Sequence, residues 1–299
     1  YEIAVTAGEF EGPNLALPHA SDPEVQARLV EERDRIYKER AKRSLRLNQY
    51  STLKFSHNGR RLIAGVGPVI APDDTTLYDF ETAKLDIWRW DSPMTPPQEN
   101  KMVDQLRKLS MPVVIDLTSG DYNQTLITKS ALDQVVAPDR WDGDWALLRD
   151  PSAAYISRQW DYTAPEELYV VNVNNGERKK AGTSPSEMSE LSPADKFVTW
   201  FADRNYYSYE IATGETRCLT KEIPYPLWNE DQDIPMMRLP YGTAGWTEDD
   251  KALLVYDRHD IWSLDPTGKS APFCLTDGAG RKANRRFRFF KFVLDTNDN

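Results

Sequence analysis

The 299 residues are 40% hydrophobic and 11% aromatic, enough to bury a substantial core in one large all-β domain or two smaller ones. Lys and Arg number 37 against 47 Asp and Glu, and the resulting net charge of −10 argues against nucleic acid or an anionic membrane as main partner, since both reward a basic face. No apolar run approaches the roughly 20 residues that cross a bilayer, so no membrane span is expected.

In chain order, the first residues from Tyr1 carry no basic, apolar, small-residue leader. A charged stretch then predicts a helix over about 22–48. Asp22 suits an N-cap and Pro23 the first helical position, while Val25, Leu29 and Ile36, extended by Leu45 and Leu47, line a narrow apolar stripe. Its cations, Arg28 to Arg46, are interleaved with Glu31, Glu32, Asp34 and Glu39, the pattern of a solvated, pair-laced face rather than a nucleic-acid site.

After that helix one unit recurs. It has a turn on Asp/Asn-Gly or Asp-Asp, an apolar strand, a second strand rich in aromatics, a Thr-Gly or Asn-Gly turn, and a short closing strand. The first copy is read as residues 53–59, 62–65 and 85–90. Residues 92–97 predict a stiff Pro-rich loop, and 98–110 a short helical or extended connector. Residues 113–117 with Ser119-Gly120 form the strand-and-turn end of a further blade. The next copy is read as 153–157, 167–173 and the turn Asn175-Gly-Glu177. Two clearer ones follow: 191–201, 207–211, Thr213-Gly214 and Cys218-Leu-Thr220, then 245–256, 260–265, Thr267-Gly268 and Cys274-Leu-Thr276.

The turn glycines Gly120, Gly176, Gly214 and Gly268 lie 56, 38 and 54 residues apart. Propeller blades of four strands recur at roughly 40–50 residues, so the longer intervals predict loop insertions. Such turns need the positive φ that Gly supplies, and a small sheet with two apolar faces needs neighbours stacked on it. The expected fold is all-β: a β-propeller of about four to five recognisable blades, incomplete within 1–299, with one inserted charged helix. An unrelated β-sandwich built of hairpins shares the strand spacing. Cys218 and Cys274 fall at equivalent points of separate blades, so no bridge is predicted. The closing residues 295–299 follow an apolar run, 289–294, as in a cut between strands, and the chain is expected to be a fragment.

Catalytic chemistry is not expected here. No G-x-S-x-G nucleophile elbow occurs in the chain. The three histidines, His19, His57 and His259, read as surface or structural. No H-x-x-x-H or C-x-x-C spacing suggests a metal, residues 229–233 lack the spacing and glycine of an EF-hand, and Gly65-Val-Gly67 is no dinucleotide fingerprint. Catalytic residues, metal and cofactor are therefore all expected to be none. Residues 281–292 interleave Arg and Lys with Phe and are read as a blade strand with charged flanks, not a nucleic-acid strand.

The stretch from Trp246-Thr-Glu-Asp-Asp250 to Asp260-Ile-Trp262 resembles a blade of the propeller in large bacterial peptidases of the prolyl oligopeptidase family, of the dipeptidyl peptidase and acylaminoacyl peptidase kind. Phe55-Ser-His-Asn-Gly59, Pro72-Asp-Asp74 and Asp86-Ile-Trp88 resemble an earlier blade of the same proteins. The resemblance spans most of 22–290. It implies a propeller preceding a C-terminal α/β-hydrolase domain, standing over its Ser, Asp and His and admitting peptides; it also implies export, to the periplasm or beyond. None of the family's catalytic motifs matches a position here.

Three readings follow. The first is the gating and substrate-selecting propeller of a serine peptidase, its partners a peptide substrate and the hydrolase domain. The second is a stand-alone propeller that binds a protein or cell-envelope partner. The third is a propeller enzyme with acids at its central mouth, against which the repetition of Asp86 and Asp260 before Ile-Trp pairs reads as structural. Missing neighbours would leave exposed edge strands and favour an edge-mediated homo-oligomer.

Overall fold

The computed structural model describes residues 46–67 and 85–290, apart from positions 49, 52, 93, 137, 139, 162, 186, 187, 235 and 236. The helix expected over about 22–48 lies outside the described residues except at its end, where Arg46–Leu47 is strand instead.

The chain is all-β, in antiparallel sheets laid down one after another like propeller blades. The first sheet is formed by β1 (Arg46–Leu47), β2 (Lys54–Phe55), β3 (Arg61–Gly67), β4 (Met111–Asp116) and β5 (Gln124–Leu126). There β1 and β2 pair with opposite ends of β3, so together they act as one interrupted first strand. The second sheet runs β6 (Gln134–Val136), β7 (Trp145–Asp150), β8 (Glu166–Asn172) and β9 (Arg178–Ser184). The third runs β10 (Ser189–Leu191), β11 (Phe197–Ala202), β12 (Asn205–Glu210) and β13 (Glu215–Cys218). The fourth runs β14 (Thr243–Trp246), β15 (Leu253–Tyr256), β16 (Ile261–Leu264) and β17 (Phe273–Cys274). Two compact units, residues 1–180 and 181–299, hold the first two and the last two sheets, with the division inside β9.

All four turn glycines fall where the repeat placed them, between the third and fourth strands of successive sheets. Gly176, Gly214 and Gly268 have φ of +76°, +75° and +64°, the left-handed region that glycine enters without steric cost. Cys218 and Cys274 close the fourth strands of their sheets as free thiols.

Three readings of the sequence need correction. Residues 85–90 are not a strand but exposed coil, with Trp88 at 66% and Trp90 at 94% exposure; the partner of β3 is β4, so residues 113–117 belong to the first sheet. Residues 153–157 lie in two 3-10 turns, Ser152–Ala154 and Ser157–Gln159, and β7 is the strand that pairs with β8. The connector at 98–110, expected to be helical or extended, takes the helical form: α1 spans Pro96–Lys108. Finally, residues 281–290 are not a blade strand; a short helix α2, Ala279–Lys282, leads into irregular chain laid along the fourth sheet.

Each unit holds its own core. In the first, Ile63 and Val114 of the first sheet pack with Ala146, Leu148 and Val171 of the second. The opposite parity of β3 and β4, with Ala64, Val66, Met111 and Val113, builds a separate cluster, as expected where side chains alternate across a strand. In the second unit Phe201, Tyr206 and Leu219 pack with Leu253, Val255, Trp262 and Leu264.

A serine or threonine organises the turn between first and second strands. The N–H of Ser56, Ser192 and Thr247 donates to the carbonyl five residues on, at 2.9, 2.8 and 2.9 Å. Each side-chain oxygen accepts the N–H of that same residue, at 2.9 Å in all three. An aspartate from the equivalent turn of the next sheet then joins the pair: Asp142 accepts from Asn58 N–H at 2.8 Å, and Asp250 from Ala194 N–H at 3.0 Å and Ser192 Oγ at 2.5 Å.

Ser192 is 1% exposed and engages Asp250, whereas Thr247 is exposed and serves its own turn alone. Ser192→Ala should therefore destabilise by about 3 kcal/mol and Thr247→Ala by about 1 kcal/mol. Urea unfolding of the two variants checks this, and equal losses would refute it.

Candidate functional site

The two units differ in how their second strands reach their third. In the second unit the crossings are tight, Ala202 pairing with Asn205 and Tyr256 with Ile261. In the first unit both are long: β3 reaches β4 through the coil at 85–91 and α1, and β7 reaches β8 through the two 3-10 turns. Loops carried on a rigid sheet are where binding groups collect.

Local sequence sets both loops. At the head of α1, Thr95 is the N-cap, Pro96 and Pro97 hold the first two positions, and Gln98 Oε1 accepts the Thr95 N–H at 2.9 Å. Met102 and Leu106, one turn apart, are half-buried while residues 103–105 between them are exposed. The first 3-10 turn is held by Asp150, whose Oδ1 accepts Ser152 N–H at 3.0 Å and Ser152 Oγ at 2.6 Å. Gln159 Nε2 donates to Ser92 O at 2.6 Å and joins the two loops directly. Between them lies an open cavity of about 680 Å³, a ligand-pocket size. Its wall is apolar at Met94, Met102, Leu132 and Tyr155 and charged at Lys108, Asp133 and Arg158.

The charges are organised from β7, β8 and β9. Arg178 donates to Asp133 at 3.3 Å and Asp150 at 3.2 Å, with its guanidinium 3.8 Å above the Tyr169 ring. Burial pushes the Asp133 carboxyl above the usual carboxylate range, outweighing Lys129 N–H and the Arg178 charge. Burial likewise raises the Tyr155 phenol. Tyr169 is pushed up to about 12 by burial and by its hydrogen bond to Glu167. Glu166, 3% exposed at its side chain, takes Arg158 Nη1 at 2.6 Å and has Arg149 Nε 3.9 Å away. Two guanidiniums thus share one buried carboxylate, and among the described residues Arg149 Nε, Arg149 Nη1 and Arg158 Nε are buried with no hydrogen-bond partner.

A second polar constellation, in the fourth sheet, is structural. Asp260, 1% exposed, accepts from Thr276 Oγ1 at 2.7 Å, Gly280 N at 2.8 Å and Arg281 N at 3.0 Å. Asp257, fully buried, accepts from Trp262 Nε1 at 3.0 Å and Arg281 Nη2 at 3.1 Å, as well as from the N–H groups of His259 and Asp260. Together they hold the chain after β17 against the sheet: Phe287 N donates to His259 O at 2.7 Å, and Arg288 Nη2 to Asp257 O at 3.1 Å.

The likeness of Asp86-Ile-Trp to Asp260-Ile-Trp is therefore one of sequence alone, since Trp88 is exposed and Trp262 buried. His57 lies in an exposed turn 3.6 Å from Asp142, and His259 Nδ1 meets Arg285 O at 3.1 Å; His19 is outside the described residues. Asp231 in the loop at 229–233 pairs with Arg258 at 3.2 Å and Arg286 at 3.5 Å. The sequence reading missed the cavity residues. The pairing of α1 with the turns after Pro151 had no local signal beyond the prolines.

No family model matches the chain, and no curated protein matches it in sequence. Among solved structures it is similar to a prolyl endopeptidase, from work on inter-domain dynamics in the catalysis and specificity of two such enzymes, at 12% identity and TM-score 0.37 over 88% of this chain and 36% of that one. It is also similar to an acylaminoacyl peptidase of Pyrococcus horikoshii, at 12% identity and TM-score 0.23 over 80% of this chain and 39% of that one. The chain spans little more than a third of the length of either. Its blade-like architecture rests on its own serial sheets.

Burial raises the pKa of Asp260, but the donors from Thr276, Gly280 and Arg281 outweigh it and hold the carboxyl below its usual range. A lowered folded-state pKa contributes stability that is complete above the unfolded value, about 3.9, and lost as pH falls through the folded one. Asp260→Asn should cost about 3 kcal/mol at pH 7, a gap that narrows below about pH 4. Denaturant midpoints across pH test this, and a gap independent of pH would contradict it.

Proposed function

We propose that the chain is the non-catalytic propeller segment of a prolyl oligopeptidase-like serine peptidase, gating and selecting peptides for an α/β-hydrolase domain outside these residues. The observation that carries the reading is the serial repetition of antiparallel sheets, in chain order, in a sequence without a nucleophile elbow. The blade from Trp246-Thr-Glu-Asp-Asp250 to Asp260-Ile-Trp262, which resembles that family, supports it.

The chemistry is one of exclusion. Within each unit the sheets are stapled through their turns into a rigid scaffold, and such a scaffold discriminates by size and flexibility rather than by bond-making. The elaborated loops of the first unit offer side chains to whatever approaches their rim.

A fluorophosphonate probe, which reacts with an activated serine, separates this reading from a stand-alone binding propeller. Applied to the product of the complete reading frame, it should label a serine outside these 299 residues, while the chain alone stays unlabelled. An unlabelled complete product would leave a binding propeller, and a labelled isolated chain would make this segment itself an enzyme.

A further inference from the structure

The rim cavity of the first unit carries unequal charge. Glu166 lies between Arg149 and Arg158, and among the described residues three of their N–H groups are buried without an acceptor. Arg158 lines the cavity with 32% of its side chain exposed, its Nη1 held by Glu166 and its Nε buried, which leaves Nη2 as the group it can offer. Lys108, at the end of α1, lines the same space with its Nζ 5.4 Å from the centroid of the Tyr50 ring, and no carboxylate among the described residues pairs with it. The acid in the wall, Asp133, is already held by Arg178 and the Lys129 N–H, and its burial favours the neutral form. It does not cancel the two cations. The same wall also carries hydrocarbon from Met94, Met102 and Leu132.

We propose that this cavity binds an apolar carboxylate, with Arg158 and Lys108 receiving the charge and Met94, Met102 and Leu132 the hydrocarbon body. A carboxylate accepts charge-assisted hydrogen bonds from a guanidinium N–H and from an ammonium, and burying the apolar body supplies the remaining affinity. The modest charge excess suits a monoanion better than a phosphate dianion. Two sources share this chemistry, a small carboxylic acid and the C-terminal residue of a peptide. The site goes beyond the gating role and needs no hydrolase domain.

Calorimetric titration of the 299-residue chain with 4-phenylbutyrate, 4-phenylbutyramide and the tripeptide Gly-Gly-Phe tests it. The acid should bind saturably with Kd on the order of 1 mM. The uncharged amide should bind at least ~10-fold more weakly, and raised salt should weaken the acid but not the amide. Lys108→Gln, on the exposed end of α1, should weaken the acid by about 5-fold. Met102→Trp, which fills the cavity without touching a charge, should abolish binding with the thermal transition unchanged. Arg158→Lys should retain more binding than Arg158→Gln. Tighter binding of Gly-Gly-Phe than of the acid assigns the site to peptide C-termini, and weaker binding assigns it to small acids. No binding of either, equal binding of acid and amide, or undiminished binding by a folded Met102→Trp variant would overturn the proposal.

Discussion

A four-stranded sheet whose middle strands are apolar on both faces cannot stand alone in water, and the rest of this structure follows from that constraint. In β11 all six residues from Phe197 to Ala202 are buried, and in β3 the last five are. A fully buried Leu, Val or Phe contributes about 1.5–3 kcal/mol, so leaving either face of β11 exposed would forfeit several such terms. Each sheet must therefore be covered on both sides, and within each unit the neighbouring sheet provides one cover. Burial alone does not fix how two sheets align. That is set by the turn aspartates, Asp142 and Asp250, which reach from one sheet to the backbone of the sheet before it.

The same constraint separates scaffold from site. Side chains inside the sheets are committed to packing, and the buried carboxylates of the fourth sheet are committed to holding the chain that follows it. What remains free to vary is the length of the connections, and in the first unit both second-to-third connections have been lengthened. The cavity between them has a mixed lining because it is built from surface loops whose polar groups need satisfy no sheet. Behind its wall Arg149 and Arg158 share Glu166, and among the described residues some of their N–H groups have no acceptor.

How far the sequence is legible follows the same line. In the last two sheets the second, third and fourth strands could be read, because tight turns at Gly214 and Gly268 punctuate them, while the short first strands β10 and β14 were missed. The first two were misread at residues 85–90 and 153–157. Both stretches carry strand-like apolar residues, and both lie inside the inserted connections. Leu85-Asp-Ile-Trp-Arg-Trp90 has the pattern of a strand but no partner beside β3, a position that β4 takes from across the insertion. The cavity was invisible for the same reason: its lining comes from 94–110, 131–134 and 151–159, which only the closure of β3 on β4 and β7 on β8 brings together. A sharper signal was available in Ser56, Ser192 and Thr247, each opening a turn of identical length, but it emerges only once the hydrogen bonds are seen.

The central claim, a serial array of sheets in this register, is tested most directly by hydrogen exchange resolved by peptide mass spectrometry. The account predicts slow exchange in β4, β7, β8, β11, β12, β15 and β16, where ladder bonds are buried, and fast exchange across residues 85–90 and 152–159. Slow exchange at 85–90 together with fast exchange in β4 and β7 would contradict it, for the first two sheets would then be paired in another register.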